Sequence, residues 1–533
     1  MNRKLMLFAV CCVLTASAFG QWLETTVYLP DSLAGLGSPQ CLAYNSMNNT
    51  VYVGGEFGDC VIAIDGATNQ KTAKIPTGSN VQALCYNAQN NKVYCANFYS
   101  DNVTVIDGAS NQVLATVAVG DAPYALCCNP QNNKVYCANR GDNVTVIDGA
   151  TNQVLATVGS GSGPRALCYN PQNNKVYCAN EYSGNVTVID GATNQVLATV
   201  EAGSSPWALC YNPQNNKVYC ADYDVRNVTV IDGATNQVLA WVAVGYYPCA
   251  LCYNAQNNKV YCANCVSDSV TVIDGASNSV ITTVAVGPDP CALCYNPENN
   301  KVYSANLGSN HMTVVDGASD SVIATVPAGD APVALCYNPQ NNKVYCANSL
   351  SDNVTVIDGA SDSVITTVPA GDGPYPLCYN PQNNKVYCAN EASDNATVID
   401  GASNQVLRTI GVGRNPVDFC HNPQQNRVYV ANYYSSSVSV LRDSGGGVEE
   451  TMNAEVRTTS AATIVRGVLS LQFAACNLKS EVVLLDACGR KAMALLPGPN
   501  DVSRLSPGVY FVRSEPSAVS REPSAVRKVV ITR

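Results

Sequence analysis

The sequence predicts an all-β protein: a β-propeller of four-stranded blades, about ten in number, followed by a small C-terminal β-sandwich. Three observations carry that reading. A tyrosine returns at Tyr52, Tyr94, Tyr136, Tyr177, Tyr219, Tyr261, Tyr303, Tyr345, Tyr387 and Tyr429, in steps of 42 residues broken once by a step of 41. A fixed period of this size marks a propeller or a solenoid. Each unit also divides into four short runs rich in Val, Ile, Thr, Tyr and Cys, bounded by Asn, Asp, Gly and Pro, and no run has a helical period. Finally, the array begins and ends at complementary points, which a linear solenoid has no reason to do.

At the N-terminus, Asn2-Arg3-Lys4 is basic, Leu5–Thr15 is apolar and Ala16–Gly20 is small. Residues 1–20 are therefore read as an export signal, with the mature chain starting near Gln21. The apolar run is too short to cross a bilayer, and no later segment approaches the ~18 uninterrupted apolar residues a membrane helix needs. The expectation is an exported chain, secreted or held at the cell surface, with no membrane span.

Residues 21–443 are assigned to the propeller. The unit from Tyr124 reads YALCCN, PQNN, KVYCAN, RGD, NVTVID, GATN and QVLATV, which gives strands A (ALCCN), B (KVYCAN), C (NVTVID) and D (QVLATV). "NP" after A and "DG" after C are turn chemistry: Pro fixes φ, and Gly accepts a positive φ. Ten A runs occur, the first opening at Gln40 and the last at Val417. The first D run, Thr25–Leu29, precedes every A, and the last unit stops at its C run, Ser437–Arg442. The orphan D is expected to complete the last blade, which closes the ring and removes its open edges. Asp65, Asp107, Asp148, Asp190, Asp232, Asp274, Asp316, Asp358 and Asp400 each close a C run beside Gly and read as Asx-type turn formers.

The chain has 26 cysteines, two of them in the signal. Strand A supplies Cys85, Cys127, Cys168, Cys210, Cys252, Cys294, Cys336, Cys378 and Cys420, and strand B supplies Cys95, Cys137, Cys178, Cys220, Cys262, Cys346 and Cys388. Within a blade the two lie ten residues apart across a hairpin. Cross-strand disulfides and small buried thiols both fit that spacing. Cys294 and Cys420 favour buried thiols, because Ser304 and Val430 stand where a partner would. There is no CxxC…CxxC spacing, and His311 and His421 are far apart in sequence. No metal site, cofactor or histidine-dependent nucleophile is expected. Charged residues are 13% of the chain and the net charge is −10, against a phosphate-tracking nucleic-acid surface.

Differences among the copies carry the functional reading. In an up-and-down blade the A–B and C–D turns share one rim, and the B–C and D–A loops share the other. The first pair is nearly invariant, NPQNN and DGA(T/S)N. The second changes from blade to blade: B–C loops read FYSD, RGD, EYSG, YDVR and CVSD, and the residue opening strand A reads Gln82, Tyr124, Arg165, Trp207, Cys249 and onward to Tyr375. Loops carried on a rigid scaffold are where binding usually resides. Gln82, Tyr124, Arg165, Trp207, Tyr246, Tyr247 and Tyr375 are therefore the candidate ligand-binding residues at the channel mouth. Aromatic rings beside Asn and Arg suit a glycan or a protein ligand.

The unit VYCAN…NVTVIDGATNQVLATVAVG…PYALCYNPQNN resembles the YVTN β-propeller repeat of bacterial and archaeal surface and secreted proteins, over about residues 24–443. That resemblance implies a surface or secreted propeller and supplies no catalytic residues. After Arg442, Ser444–Gly447 and the following Val-Glu-Glu form a linker, residues 444–453. Beyond it, GVLSLQF, SEVVLLDACGRK, LSPGVYFVR and VRKVVITR read as strands. Residues 454–533 resemble the C-terminal sorting domain of the type IX secretion system through Leu485-Asp486, Gly489-Arg490, Leu505, Gly508–Arg513 and Lys528–Ile531. The resemblance implies that the secretion machinery is a partner; a duplicated EPSAV departs from the pattern. The functional expectation is a non-enzymatic binding or adhesion module. A self-assembling surface-layer component is the alternative, and a propeller-type lyase or quinoprotein a weaker one.

Overall fold

The computed structural model describes residues 21–30 and 35–443, and beyond them the backbone of seven strands between residues 462 and 531. The expected signal (1–20) and linker (444–453) lie outside the described residues. Ten four-stranded antiparallel sheets form the first unit, one per sequence repeat. Blade 3 shows the pattern: strand A is Pro123–Asn129, B is Lys134–Asn139, C is Asn143–Asp148 and D is Val154–Gly159, paired in that order. Inner strands A of neighbouring blades approach one another around the ring. Strand B is buried from end to end, whereas D alternates between exposed and buried positions. The core is thus the set of gaps between blades, where Tyr136, Val144, Val146 and Val158 of blade 3 meet Val176, Cys178 and Ile189 of blade 4. Each gap is a two-layer sheet packing built from period-2 faces.

The ring closes as the sequence predicts. Gln21–Tyr28 pairs antiparallel with Ser437–Asp443, completing blade 10 with Pro416–Asn422 and Arg427–Asn432. The closing strand starts four residues earlier than the Thr25–Leu29 run, because a bulge at Glu24 accommodates an extra residue. Glu24 turns that bulge into a clamp, pairing with both Arg427 and Arg442. Burial draws the Glu24 carboxyl upward, but the hydrogen bonds and charge of Arg427 prevail and hold it below the usual range.

The uniform rim is a chain of blade-to-blade latches. Lys92 at the start of strand B in blade 2 donates to the carbonyls of Gly149 (2.6 Å) and Ala150 (2.9 Å) and to Asn152 Oδ1 (2.7 Å) in the C–D turn of blade 3. Lys134, Lys175, Lys217 and Lys343 repeat this on the next blade in turn. At the seam Arg427 takes the lysine position and donates to Gly66 and Ala67 of blade 1. Asn422 Nδ2 reaches Asn49 Oδ1 across the same seam at 2.7 Å. Burial lowers the affinity of these lysines for their protons, as for Lys92.

The C–D turns correct one expectation and support another. The Asp residues act as Asx formers: Asp148 Oδ1 accepts from Thr151 N at 2.6 Å and from Thr151 Oγ1 at 3.0 Å. The Gly after each Asp, however, has no positive φ. The left-handed residue is the one that ends the turn, Asn in most blades, such as Asn152 at φ 63°, and Asp320 or Asp362 in blades 7 and 8, or the Asn that ends the A–B turn, such as Asn133 at φ 52°. Asn tolerates that region through its short polar side chain. Glycine is needed for a different reason: a Cβ on Gly149 would lie 2.3 Å from Asn133 Oδ1 and 2.5 Å from its carbonyl oxygen.

The paired strand A–strand B cysteines do not face one another. Cys85 lies opposite Tyr94, and Leu84 lies opposite Cys95. The four-residue A–B connection pairs residues separated by an odd number, so two cysteines ten apart fall on opposite faces of the sheet. They are free thiols, with the strand B set buried and the strand A set half-buried. The described residues contain a disulfide elsewhere, Cys249–Cys265.

The second unit begins at residue 450. Its strands form a three-stranded sheet, Ala462–Val465, Val468–Leu471 and Gly498–Asp501. A four-stranded sheet runs Lys491–Leu495, Val482–Asp486, Gly508–Ser514 and Val526–Ile531 in spatial order. Each of the four runs read as strands contains one. No helix of the described residues is long and apolar enough to cross a membrane.

Candidate binding rim

The residue that opens strand A occupies a special backbone position in every blade. The A–B register skips it: Pro123 pairs with Asn139 and Ala125 with Ala138, leaving Tyr124 unpaired. The same shift brackets Gln82, Arg165, Trp207 and Cys249. A bulge of this kind releases one side chain from the ladder and re-aims it. Two residues before the opener the chain is left-handed, with Gly163 at φ 72° in blade 4 and Ala122 at φ 53° in blade 3. In blade 6 that position holds Tyr247 at φ 54°, a bulky residue where the conformation costs most.

In blades 3–6 the opener meets the residue 16 positions later, the first of the B–C loop. In blade 3, the Arg140 guanidinium lies 5.1 Å from the Tyr124 ring centroid. In blade 4, Arg165 pairs with Glu181 at 3.4 Å. Trp207 and Tyr223 of blade 5 stack at 4.8 Å with planes 25° apart. In blade 6 the pair is the Cys249–Cys265 disulfide. Four different chemistries therefore fill one geometric slot.

Neighbouring slots are joined in turn. Phe98 of blade 2 meets Tyr124 edge-on at 6.4 Å. Arg140 reaches Glu181 at 2.7 Å and the Tyr182 hydroxyl at 2.6 Å. Arg165 lies 3.4 Å from the Trp207 centroid, and Tyr223 lies 4.8 Å from Tyr247. The result is a continuous arc from Phe98 to Tyr247 across blades 2–6. Arg226 sits 3.3 Å from the Tyr246 centroid beside its far end.

Of the residues singled out from sequence, Tyr124, Arg165, Trp207 and Tyr247 belong to this arc, and Tyr246 flanks it. Gln82 is the bulge residue of blade 2 and takes no part in the ring contacts. Tyr375 stands on blade 9, away from the arc. Glu391, 16 positions after it, lines a separate cavity of about 340 Å³ with Asp394, Arg414, Asn415 and Tyr434, and burial raises the Glu391 carboxyl. Trp207 is an inner member of the stack, because Arg165 and Tyr223 both cover its ring. The rings open to solvent are Tyr99 (65% exposed) at one end, Tyr182 (66%) midway along, and Tyr246 and Tyr247 at the other end. Arg140, Glu181, Tyr182 and Tyr223 were missed as site residues. The B–C loop letters held them, but only the bulge reveals which opener each one meets.

These features define the class: a ten-bladed β-propeller with one constant rim and one varied rim. A YNCE-like beta-propeller family model matches residues 215–365 and 306–466. A model described as lactonase, 7-bladed beta-propeller, matches residues 24–198. No curated protein matches the chain. Among solved structures, dihydro-heme d1 dehydrogenase NirN in complex with DHE is similar at 16% identity, over 60% of this chain and 73% of that one, with a TM-score of 0.44. Kuenenia stuttgartiensis hydrazine synthase is similar at 20% identity, over 62% and 98%, with a TM-score of 0.38. The computationally designed Ika8 protein is similar at 22% identity, over 63% and 99%, with a TM-score of 0.43. Likenesses at this level bear on neither ligand nor chemistry.

Proposed function

We propose that this chain is an exported, non-enzymatic binding module that captures a glycan or protein ligand on its varied rim. The export signal and the type IX-like tail support a secreted or surface location, reached through that secretion machinery. The observation that carries the binding role is the Phe98–Tyr247 arc, in which bulged openers and B–C loops gather rings and guanidinium groups on one rim. Its interior members hold one another in place, so the exposed rings along and beside it, Tyr99, Tyr182 and Tyr246, make the contact. The test is a glycan and surface-protein array probed with the mature chain, followed by the triple variant Tyr99→Ala/Tyr182→Ala/Tyr246→Ala. Capture should be lost while the melting temperature moves by no more than about 2 °C, since these are surface substitutions. Undiminished capture by the triple variant overturns the assignment.

A specific observation favours the second reading, self-assembly in a surface layer. Strand D exposes Leu155, Leu197, Leu239, Trp241, Ile281 and Ile323 on successive blades, and an outer edge strand is an open template for pairing. Light scattering of the mature chain distinguishes the two: concentration-dependent large species support the layer, and a monomer supports the binding module.

A further inference from the structure

One blade junction handles its thiols differently from the others. At the repeated junctions, the strand A cysteine of one blade packs in the same cluster as the strand A tyrosine of the next. Cys127 does so with Tyr169, Cys168 with Tyr211, and Cys210 with Tyr253. In blade 3 the tyrosine position is occupied by Cys128. Cys85 of blade 2 therefore meets Cys128, and both pack on the cluster formed by Tyr94, Val135 and Cys137. Both thiols are half-buried rather than sealed in the core, and each perturbs the other's proton affinity across the gap.

The two sulfurs are not equivalent. Burial pushes Cys168 and Cys252 up to about 12 and Cys210 up to about 11. Cys85 moves the other way: the adjacent Cys128 side chain holds it below the ordinary thiol range, against the opposing effect of burial. Cys128 is raised, first by the adjacent Cys85 side chain and then by burial. The thiolate is the nucleophile in disulfide exchange, so Cys85 attacks and Cys128 resolves. Neighbouring Cys127 lies on the opposite face of the strand, facing blade 4 rather than blade 2.

We propose that Cys85 and Cys128 form a redox-responsive site that takes a low-molecular-weight disulfide as its oxidant and closes into a covalent staple between blades 2 and 3. The Cys85 thiolate attacks one sulfur of the oxidant, forming a mixed disulfide and expelling one small thiolate. Cys128 then loses its proton and attacks the Cys85 sulfur, expelling the second. Two protein thiols are oxidised, and one small disulfide is reduced to two small thiols. The Cys249–Cys265 bond lies within blade 6, so this staple would link one blade to another.

The experiment uses the full mature chain treated with oxidised glutathione, then alkylated and mapped by tandem mass spectrometry without reduction. A cross-link between Cys85 and Cys128 is expected, with a loss of two alkylatable thiols per chain. Cys127→Ala should retain it. Cys128→Ser should stall at a glutathione adduct on Cys85, whereas Cys85→Ser should leave Cys128 alkylatable and free of adduct. Cys128→Tyr restores the repeat residue and serves if the serine variant fails to fold; it should also abolish the cross-link. The proposal is overturned if Cys85 and Cys128 both remain alkylatable after oxidation, if the bond joins other cysteines, or if the two serine variants give the same adduct pattern.

Discussion

The two rims of the ring are built from the same forty-two-residue unit, yet one is nearly invariant and the other differs in every blade. The invariant rim joins blades through backbone: Lys92 and its counterparts donate to carbonyl oxygens of the next C–D turn. A carbonyl looks the same in every blade, so the same lysine, the same close-packed glycine and the same left-handed asparagine are wanted each time. The varied rim joins side chain to side chain at the opener and the residue 16 positions on. There any complementary pair satisfies the slot, whether cation and ring, ion pair, stacked rings or disulfide. Repetition marks positions whose partner is main chain or an equally repeated asparagine, and variation marks positions whose partner can change with them.

The strongest test of the backbone-latched rim is at its seam. Arg427→Ala removes the group that holds both the blade 1 turn and the Glu24 carboxylate, leaving a partly buried charge short of its main partner. A loss of about 3 kcal/mol is expected, read by urea denaturation, with Arg427→Lys recovering part of it. A loss no greater than that of a surface arginine would mean that the seam is not a latch.

Asp222 tests what happens when one copy departs from the repeat at a buried position. It stands where blades 2–4 and 6–10 have Asn, accepting from Asn227 Nδ2 and Thr229 Oγ1 at 2.8 Å each, and burial raises its carboxyl to about 6. Because the folded value lies above the unfolded one, its contribution is fully present below about 4 and is lost as pH rises through about 6. Asp222→Asn should therefore stabilise the protein at pH 7 by on the order of 2 kcal/mol and flatten the profile between pH 7 and pH 4. Parallel profiles for the two proteins would refute this.

A pair of glycines separates crowding from backbone freedom. Gly149→Ala drives a Cβ into Asn133, whereas a Cβ on Gly159 of the same blade meets nothing within 4 Å. The first should cost about 2 kcal/mol, and the second should be neutral or slightly stabilising; equal thermal shifts would remove the crowding argument.

The smallest effect is expected on the varied rim. Tyr247→Asn relieves a left-handed tyrosine and should raise stability by up to about 1 kcal/mol. The same change deletes the ring against Tyr223 and should weaken ligand capture. A variant that loses stability would show that ring packing outweighs the backbone strain.

Most of the fold was legible because its signals are local and repeated ten times. The tyrosine period, the turn residues and the displaced strand D fix blade count and ring closure by chain order alone. The cysteine pairing was legible in principle from the parity of the A–B connection, since an even separation cannot be opposed across a four-residue loop. The site was only half legible. The openers announced themselves by varying, but the bulge that frees them and the slot partner at 16 residues depend on register, which no local preference encodes. Tyr375 shows the consequence: it varies like its fellow openers, yet it stands on a blade outside the arc.

What the sequence alone determined is the blade, the ring and the division into a constant and a varied rim, because period-2 patterning and turn chemistry act within a few residues. What only the tertiary structure decided is which side chains meet across a gap: Arg165 with Trp207, Lys92 with the next turn, Cys85 with Cys128. Those contacts join residues more than forty positions apart, and their geometry is set by how twisted sheets pack face to face around a closed ring.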